Sequence, residues 1–142
     1  MKSSIKLFFT AIVLISTTAF ASAETRMLNK VATAGTIDRY IAAVTKGGTD
    51  NLTLLFSDDF NHQINNKGKV TVHNRAQVIG FLRGNKYLTQ NCNTSYTLIE
   101  QNNNNAIAKV EMKYGEFTKV DYVTLINDGN RWKVSNVVST YP

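Results

Sequence analysis

The chain has 142 residues, with 16 Lys and Arg against 10 Asp and Glu and a formal net charge of +6. Its first 23 residues have the form of an export signal: Lys2 and Lys6 supply charge, Leu7 to Ile15 is almost wholly apolar, and Ala21-Ser22-Ala23 is a small-x-small cleavage site. Cleavage there leaves Glu24 to Pro142, 119 residues with 14 basic against 10 acidic side chains and a net charge of +4. That is one domain of ordinary size, and it excludes a membrane anchor, which needs an apolar run of about 18 residues. Cys92 is the only cysteine, which excludes a disulfide framework within the chain, and no cysteine stands at the cleavage site to take a lipid. The product is therefore expected in a periplasm or outside the cell.

Residues 24–35 show no period and are read as a flexible lead-in, leaving 36–142 as a single domain. From Thr36, a natural N-cap, the apolar residues Ile37, Tyr40, Ile41 and Val44 fall on one helical face, and Gly47-Gly48 is the stop. A second, shorter helix is expected with Asp50 as cap and Leu52, Leu55 and Phe56 as its apolar positions, broken at Ser57-Asp58-Asp59. The period then changes to two. Phe60, His62 and Ile64 alternate with polar residues, Asn65 to Lys69 supplies a turn, and Val70 and Val72 complete a hairpin. Asn74 with Gln77 has capping-box spacing for a third helix, whose face is expected to be Val78, Phe81 and Leu82 and whose end is Gly84-Asn85.

From Cys92 onward the signal is strand. Tyr96 and Leu98 alternate before the Asn-rich turn at Gln101 to Asn105. Ala106, Ala108, Val110, Met112 and Tyr114 then share a face, with Lys109, Glu111 and Lys113 opposite. Lys119 to Asn127 and Arg131 to Tyr141 are two more strands, joined by a turn that contains Asp128-Gly129. Segregated helices and a mainly antiparallel sheet define an α+β domain with helices on one sheet face. The last strands carry apolar residues on both faces, for example Val123 and Leu125 against Val120, Tyr122 and Ile126. A wet outer face would be more polar, so a homodimer through that face is expected, unless those residues merely express strand propensity.

In this element order the chain resembles the nuclear transport factor 2-like superfamily, a cone of three helices wrapped by a bent, cystatin-like sheet, and within it the SnoaL-like polyketide cyclase and putative lumazine-binding branches. The resemblance runs from Ile37 to about Ser139. It is carried by Ala106-Ile107-Ala108-Lys109-Val110-Glu111, by Asp121-Tyr122-Val123-Thr124-Leu125 and by Asn130-Arg131-Trp132-Lys133-Val134-Ser135-Asn136. Leu55-Phe56-Ser57-Asp58-Asp59-Phe60 looks like a loop in which many members carry Phe-His-Pro-Asp-Ala; here Ser57 stands in place of the His and Asp58 in place of the Pro. The resemblance implies an apolar pocket within the cone. It leaves function open, since the superfamily holds isomerases, dehydratases, cyclases, transport factors and members without known activity.

Within such a pocket His62, on the face of Phe60 and Ile64, and Asp121, on the face of Val123 and Leu125, form the one acid/base pair that the sequence offers, should the protein be an enzyme. His62 reads equally as a hydrogen-bonded core or rim residue, and Asp121 as a rim carboxylate paired with Lys119 or Lys133. Tyr96, Met112, Tyr114, Trp132 and Asn136 are the candidate ligand-binding residues, suited to a small apolar or aromatic molecule; as core they need no ligand. His62, His73 and Cys92 lack metal-ligand spacing, and no phosphate-loop, dinucleotide or nucleophile-elbow motif is present, so neither metal nor cofactor is expected. The basic residues are scattered, which argues against nucleic acid. Three readings remain: a small-molecule-binding domain, a cofactor-free isomerase, dehydratase or cyclase, and a protein-interaction module that uses the outer sheet face.

Overall fold

The computed structural model describes residues 16–142, with side chains from Phe20 onward. The charged start and apolar run of the expected signal lie outside the described residues. The first element is a single helix, α1, Ser16–Lys46. Residues 24–35, expected as a lead-in, thus belong to the helix, and Thr36 is no cap. It is buried in mid-helix and donates back to the carbonyl of Ala32 at 3.0 Å, as Thr33 does to Asn29 and Thr45 to Ile41. Threonines that satisfy their hydroxyls on the preceding turn can be buried inside a helix. The expected apolar face holds: Ile37, Tyr40 and Ile41 are buried, and Val44 packs against the same core.

The end of α1 falls at the expected glycines. Gly47 takes φ +64°, and the segment after α3 folds over this end: the Tyr87 amide donates to Gly47 O, the Gln90 amide to Thr45 O at 2.7 Å and the Gln90 side chain to Val44 O at 2.8 Å. Three carbonyls that a helix end leaves without partners are thereby satisfied. The second helix, α2, is one turn, Leu52–Leu55, preceded by Asn51 at φ +57° rather than capped by Asp50.

Phe56 and Ser57 to Asp59 do not end a helix but begin strand β1, Phe56–Asn66. The strand is irregular there. Phe56 pairs with Val134 and Asn61 with Asn136, and the excess residues on the β1 side let both Phe56 and Phe60 turn inward with ring centroids 4.5 Å apart. A two-residue turn, Lys67 (φ +50°) and Gly68 (φ +80°), leads into β2, Lys69–Asn74; positive φ at both residues suits the tight hairpin turn. Helix α3, Arg75–Gly84, carries the full capping box between Asn74 and Gln77. Its buried residues are Ile79 and Leu82, while Phe81, expected on the packed face, is 69 % exposed.

The remaining strands are β3, Asn93–Gln101, β4, Asn105–Lys113, β5, Thr118–Asn127, and β6, Trp132–Thr140. The six form one sheet in the order β2-β1-β6-β5-β4-β3, antiparallel throughout except where β1 and β6 run parallel at the centre. The three helices pack on one sheet face, the α+β cone expected. Between them lies the core, with Phe56, Ala108, Val110, Val123, Leu125, Val134 and Ile37 sealed from solvent.

Candidate functional site

One cavity of about 430 Å³ opens between α1, α3 and the inner face of β1, β2, β4, β5 and β6. Most of its wall is apolar: Val44 from α1, Phe60 and Ile64 from β1, Val78 and Leu82 from α3, Met112 from β4 and Val137 from β6. Phe81, Phe117 and Tyr141 line it while 69 %, 50 % and 40 % exposed, which places them at its mouth. Tyr114 and Phe117 stack there with centroids 4.6 Å apart and planes 14° apart. Phe81 is thus exposed because α3 offers it to the opening rather than to the core.

The polar groups converge on Asp121. That side chain is fully buried on β5, behind the cavity wall. One carboxylate oxygen accepts from the Tyr40 hydroxyl at 2.7 Å and from the Lys119 ammonium at 3.2 Å; the other accepts from the Ser139 hydroxyl. Ser139 in turn lies 2.7 Å from Nε2 of His62. The two residues read from sequence as a pair are therefore linked, but through Ser139 rather than directly. Pairing of Asp121 with Lys119 also holds, in a buried setting rather than at a wet rim; Lys133 instead binds Asp128 at 2.8 Å.

Burial is what shapes the chemistry here. Removal from water pushes the His62 imidazole down to about 4; Lys119 adds to the drop and His73 contributes, while Asp121 opposes it. His62 is consequently a neutral ring at physiological pH. Tyr40 moves the other way: burial first, then the adjacent Asp121 charge and hydrogen bond, raise its phenol well above the ordinary value. It stays protonated and can only donate to Asp121. At the mouth, burial and the neighbouring Cys92 raise Tyr114 to about 12, and its hydroxyl donates to Gln90 Oε1.

His62, Met112 and Tyr114 lie on the cavity, as expected. Asn136, Trp132 and Tyr96 do not. Asn136 sits past a bulge: Leu125 pairs with Val134 and Thr124 with Asn136, so Ser135 is an extra residue that reverses the alternation of β6. Asn136 and Val138 therefore turn outward, where Asn136 donates to Asn61, and Val137 and Ser139 turn inward. Trp132 is 3 % exposed in the core at the other end of β6, its indole N–H without a partner among the described residues. Tyr96 pairs with Val110 on edge strand β3, but it lines a separate groove beside Asp38, Ile41 and Lys46 of α1. Sequence reading missed Ser139 as a member of the site and took Tyr40 as core only. A serine with no local motif and a tyrosine 81 residues from its partner carry no local signal.

Among the described residues, no group of three or more His, Cys, Asp or Glu could hold a metal ion, and no helix is long and apolar enough to cross a membrane. Residues 28–139 match the model of a family described as putative lumazine-binding. No curated protein matches the chain. Among solved structures, a nuclear transport factor 2-like protein of unknown function from Silicibacter pomeroyi is similar over 89 % of this chain and 99 % of its own, with a TM-score of 0.65 at 16 % identity. A putative scytalone dehydratase from Novosphingobium aromaticivorans is similar over 84 % and 88 %, with a TM-score of 0.59 at 11 % identity. An uncharacterised protein with a cystatin-like fold from Caulobacter vibrioides is similar over 80 % and 89 %, with a TM-score of 0.59 at 13 % identity. At such identities the likeness is one of fold.

Proposed function

The chain belongs to the putative lumazine-binding family, within the nuclear transport factor 2-like fold, and we propose that it is an exported domain that holds a small, flat, ring-bearing molecule in its cone. The observation that carries this reading is the cavity: about 430 Å³, apolar on most of its wall, with polar groups gathered on one side and an aromatic mouth. That volume lies in the range of small-molecule sites, and apolar walls with a few placed polar groups are their usual chemistry. Stacked rings at the mouth favour a planar guest. The finer parts of the reading are cleavage after Ala23 and pairing of two copies through the outer sheet face, which exposes Val70, Val72 and Tyr122; light scattering at micromolar concentration tests the second, and a monomer there refutes it.

A second reading, a cofactor-free isomerase or dehydratase with His62 and Asp121 as acid and base, draws support from the line of hydrogen bonds through Ser139. It is the weaker of the two, because an imidazole held at about 4 is a poor base at neutral pH and is not there as the imidazolium that would act as an acid.

Native mass spectrometry of the protein purified from its own cells tests occupancy directly, and fluorescence titration with lumazine tests the class named by the family. Binding is expected, and Val78→Trp, which fills the cavity from α3, is expected to weaken it by about tenfold or more while the circular dichroism spectrum is kept. An empty protein that takes no planar ring compound would refute the reading.

A further inference from the structure

The hydrogen bonds around Asp121 all run one way, and their direction reaches the cavity. Lys119 has only protons to offer, and the Tyr40 hydroxyl donates to the same carboxylate oxygen. The Ser139 hydroxyl has a single proton and gives it to the other oxygen. At 2.7 Å from His62 Nε2, Ser139 can then only accept. His62 must carry its proton on Nε2. A neutral imidazole has one N–H, so Nδ1 is left as a lone-pair acceptor, and no donor among the described residues reaches it.

Of the other polar groups on the wall, Tyr40, Tyr114, Gln90 and the Gln77 side-chain oxygen are committed, while His73, the Tyr141 hydroxyl and the Gln77 amide nitrogen have no hydrogen-bond partner among the described residues. Gln90 gives its amide protons to Val44 O and takes the Tyr114 proton on its oxygen. Lys119 is paired with Asp121 and, as an ammonium, cannot accept a hydrogen bond. His62 Nδ1 is an acceptor fixed by its tautomer and without a protein partner among the described residues, on a side chain that lines an apolar cavity. Burial and the Lys119 charge keep the ring neutral, so the lone pair stays available.

We propose that His62 Nδ1 is a recognition acceptor of the cavity, so that the ligand is a flat ring compound bearing an in-plane N–H or O–H donor, such as a lactam, an imide or a phenol, with Ser139 and Asp121 as positioning residues that fix the imidazole tautomer. The proposal rests on the ring-binding reading above. A ligand with such a donor satisfies the lone pair; one of the same outline without it leaves an acceptor buried and unpaired, which is costly.

The test compares 2-quinolone, a flat bicyclic lactam with one ring N–H, with coumarin, which has the same outline with oxygen in place of that N–H. With the full chain, calorimetry or fluorescence is expected to show 2-quinolone bound about tenfold or more tightly than coumarin. The ratio falls to near one in His62→Phe, and part of it returns in His62→Asn, whose amide oxygen stands near the place of Nδ1. Equal binding of the two compounds by the wild-type protein overturns the proposal and leaves the ring-binding reading standing; binding of neither overturns both for this class of ligand. A ligand-free readout is the ¹⁵N NMR spectrum of His62. It should show the neutral Nε2–H form in the wild-type protein and a mixture of tautomers in Ser139→Ala, which also keeps the proposal testable should His62→Phe fail to fold. An Nδ1–H ring in the wild-type protein overturns the proposal outright.

Discussion

His62 and Asp121 differ in what burial does to them. Asp121 is sealed from solvent yet meets three donors, so its charge is compensated on both oxygens. His62 has one polar partner and a nearby ammonium, so its charged form is the one disfavoured. The consequence for stability has a definite sign. The folded value of about 4 lies below the ordinary 6.5, so between the two the unfolded chain binds the extra proton. The contribution of His62 is complete above pH 6.5 and is lost as pH falls towards 4. Urea midpoints from pH 7.5 down to pH 4 should fall in the wild-type protein by an amount equivalent to about 1–2 kcal/mol more than in His62→Asn, after allowance for screening at the cavity mouth. Equal slopes in the two proteins would show that the ring titrates normally. The inward position of His62 was legible in the sequence, since Phe60, His62 and Ile64 alternate cleanly. Ser139 and Asn136 were not: Val137 and Val138 are both apolar, so the pattern of β6 reads equally well in either phase, and a bulge at Ser135 decides it.

At the scale of elements, helix ends prove more informative than helix interiors. The capping box of α3 was legible because it is local: Asn74 and Gln77 satisfy each other's backbone amides at 2.9 and 3.0 Å. Asn74→Ala should cost about 1 kcal/mol. The end of α1 was legible in its glycines, but the reason for Gly47 is not local. A Cβ there would meet the Tyr87 amide nitrogen at 2.4 Å, and φ is +64°. Gly47→Ala must therefore displace the segment that carries Gln90, and should cost about 2 kcal/mol or more, since a left-handed residue with a side chain already costs about 1–2 kcal/mol. Equilibrium denaturation should rank the two variants in that order; a Gly47→Ala protein as stable as Asn74→Ala would mean that the segment after α3 yields freely. The start of α1 was not legible. Its buried threonines break the apolar period, and only their bonds to the preceding turn show how the helix carries them.

For the whole molecule, the fold was legible from the order of elements and the turn residues, because the connections from β1 to β2 and along β3, β4, β5 and β6 are short and each apolar face is repeated along its strand. What the pattern could not give was how α1 sits on the sheet. At about 1.5 Å per residue, its 31 residues span roughly 46 Å, and among the described side chains the first buried one met along it is Thr33. Phe20, Met27, Leu28 and Val31 are each more than half exposed. The cone is thus closed by the second half of the helix, from Thr33 to Thr45, while the first half contributes little to the core. A protein that begins at Glu24 loses no buried side chain among the described residues. Chain ends without burial contribute little to stability, so this shortened protein should unfold within about 0.5 kcal/mol of the full chain, with the same cavity. Calorimetry of the two forms checks it. A large loss on shortening would mean that the part of α1 before Glu24 packs against a partner, with Phe20 the large exposed apolar side chain among the described residues removed.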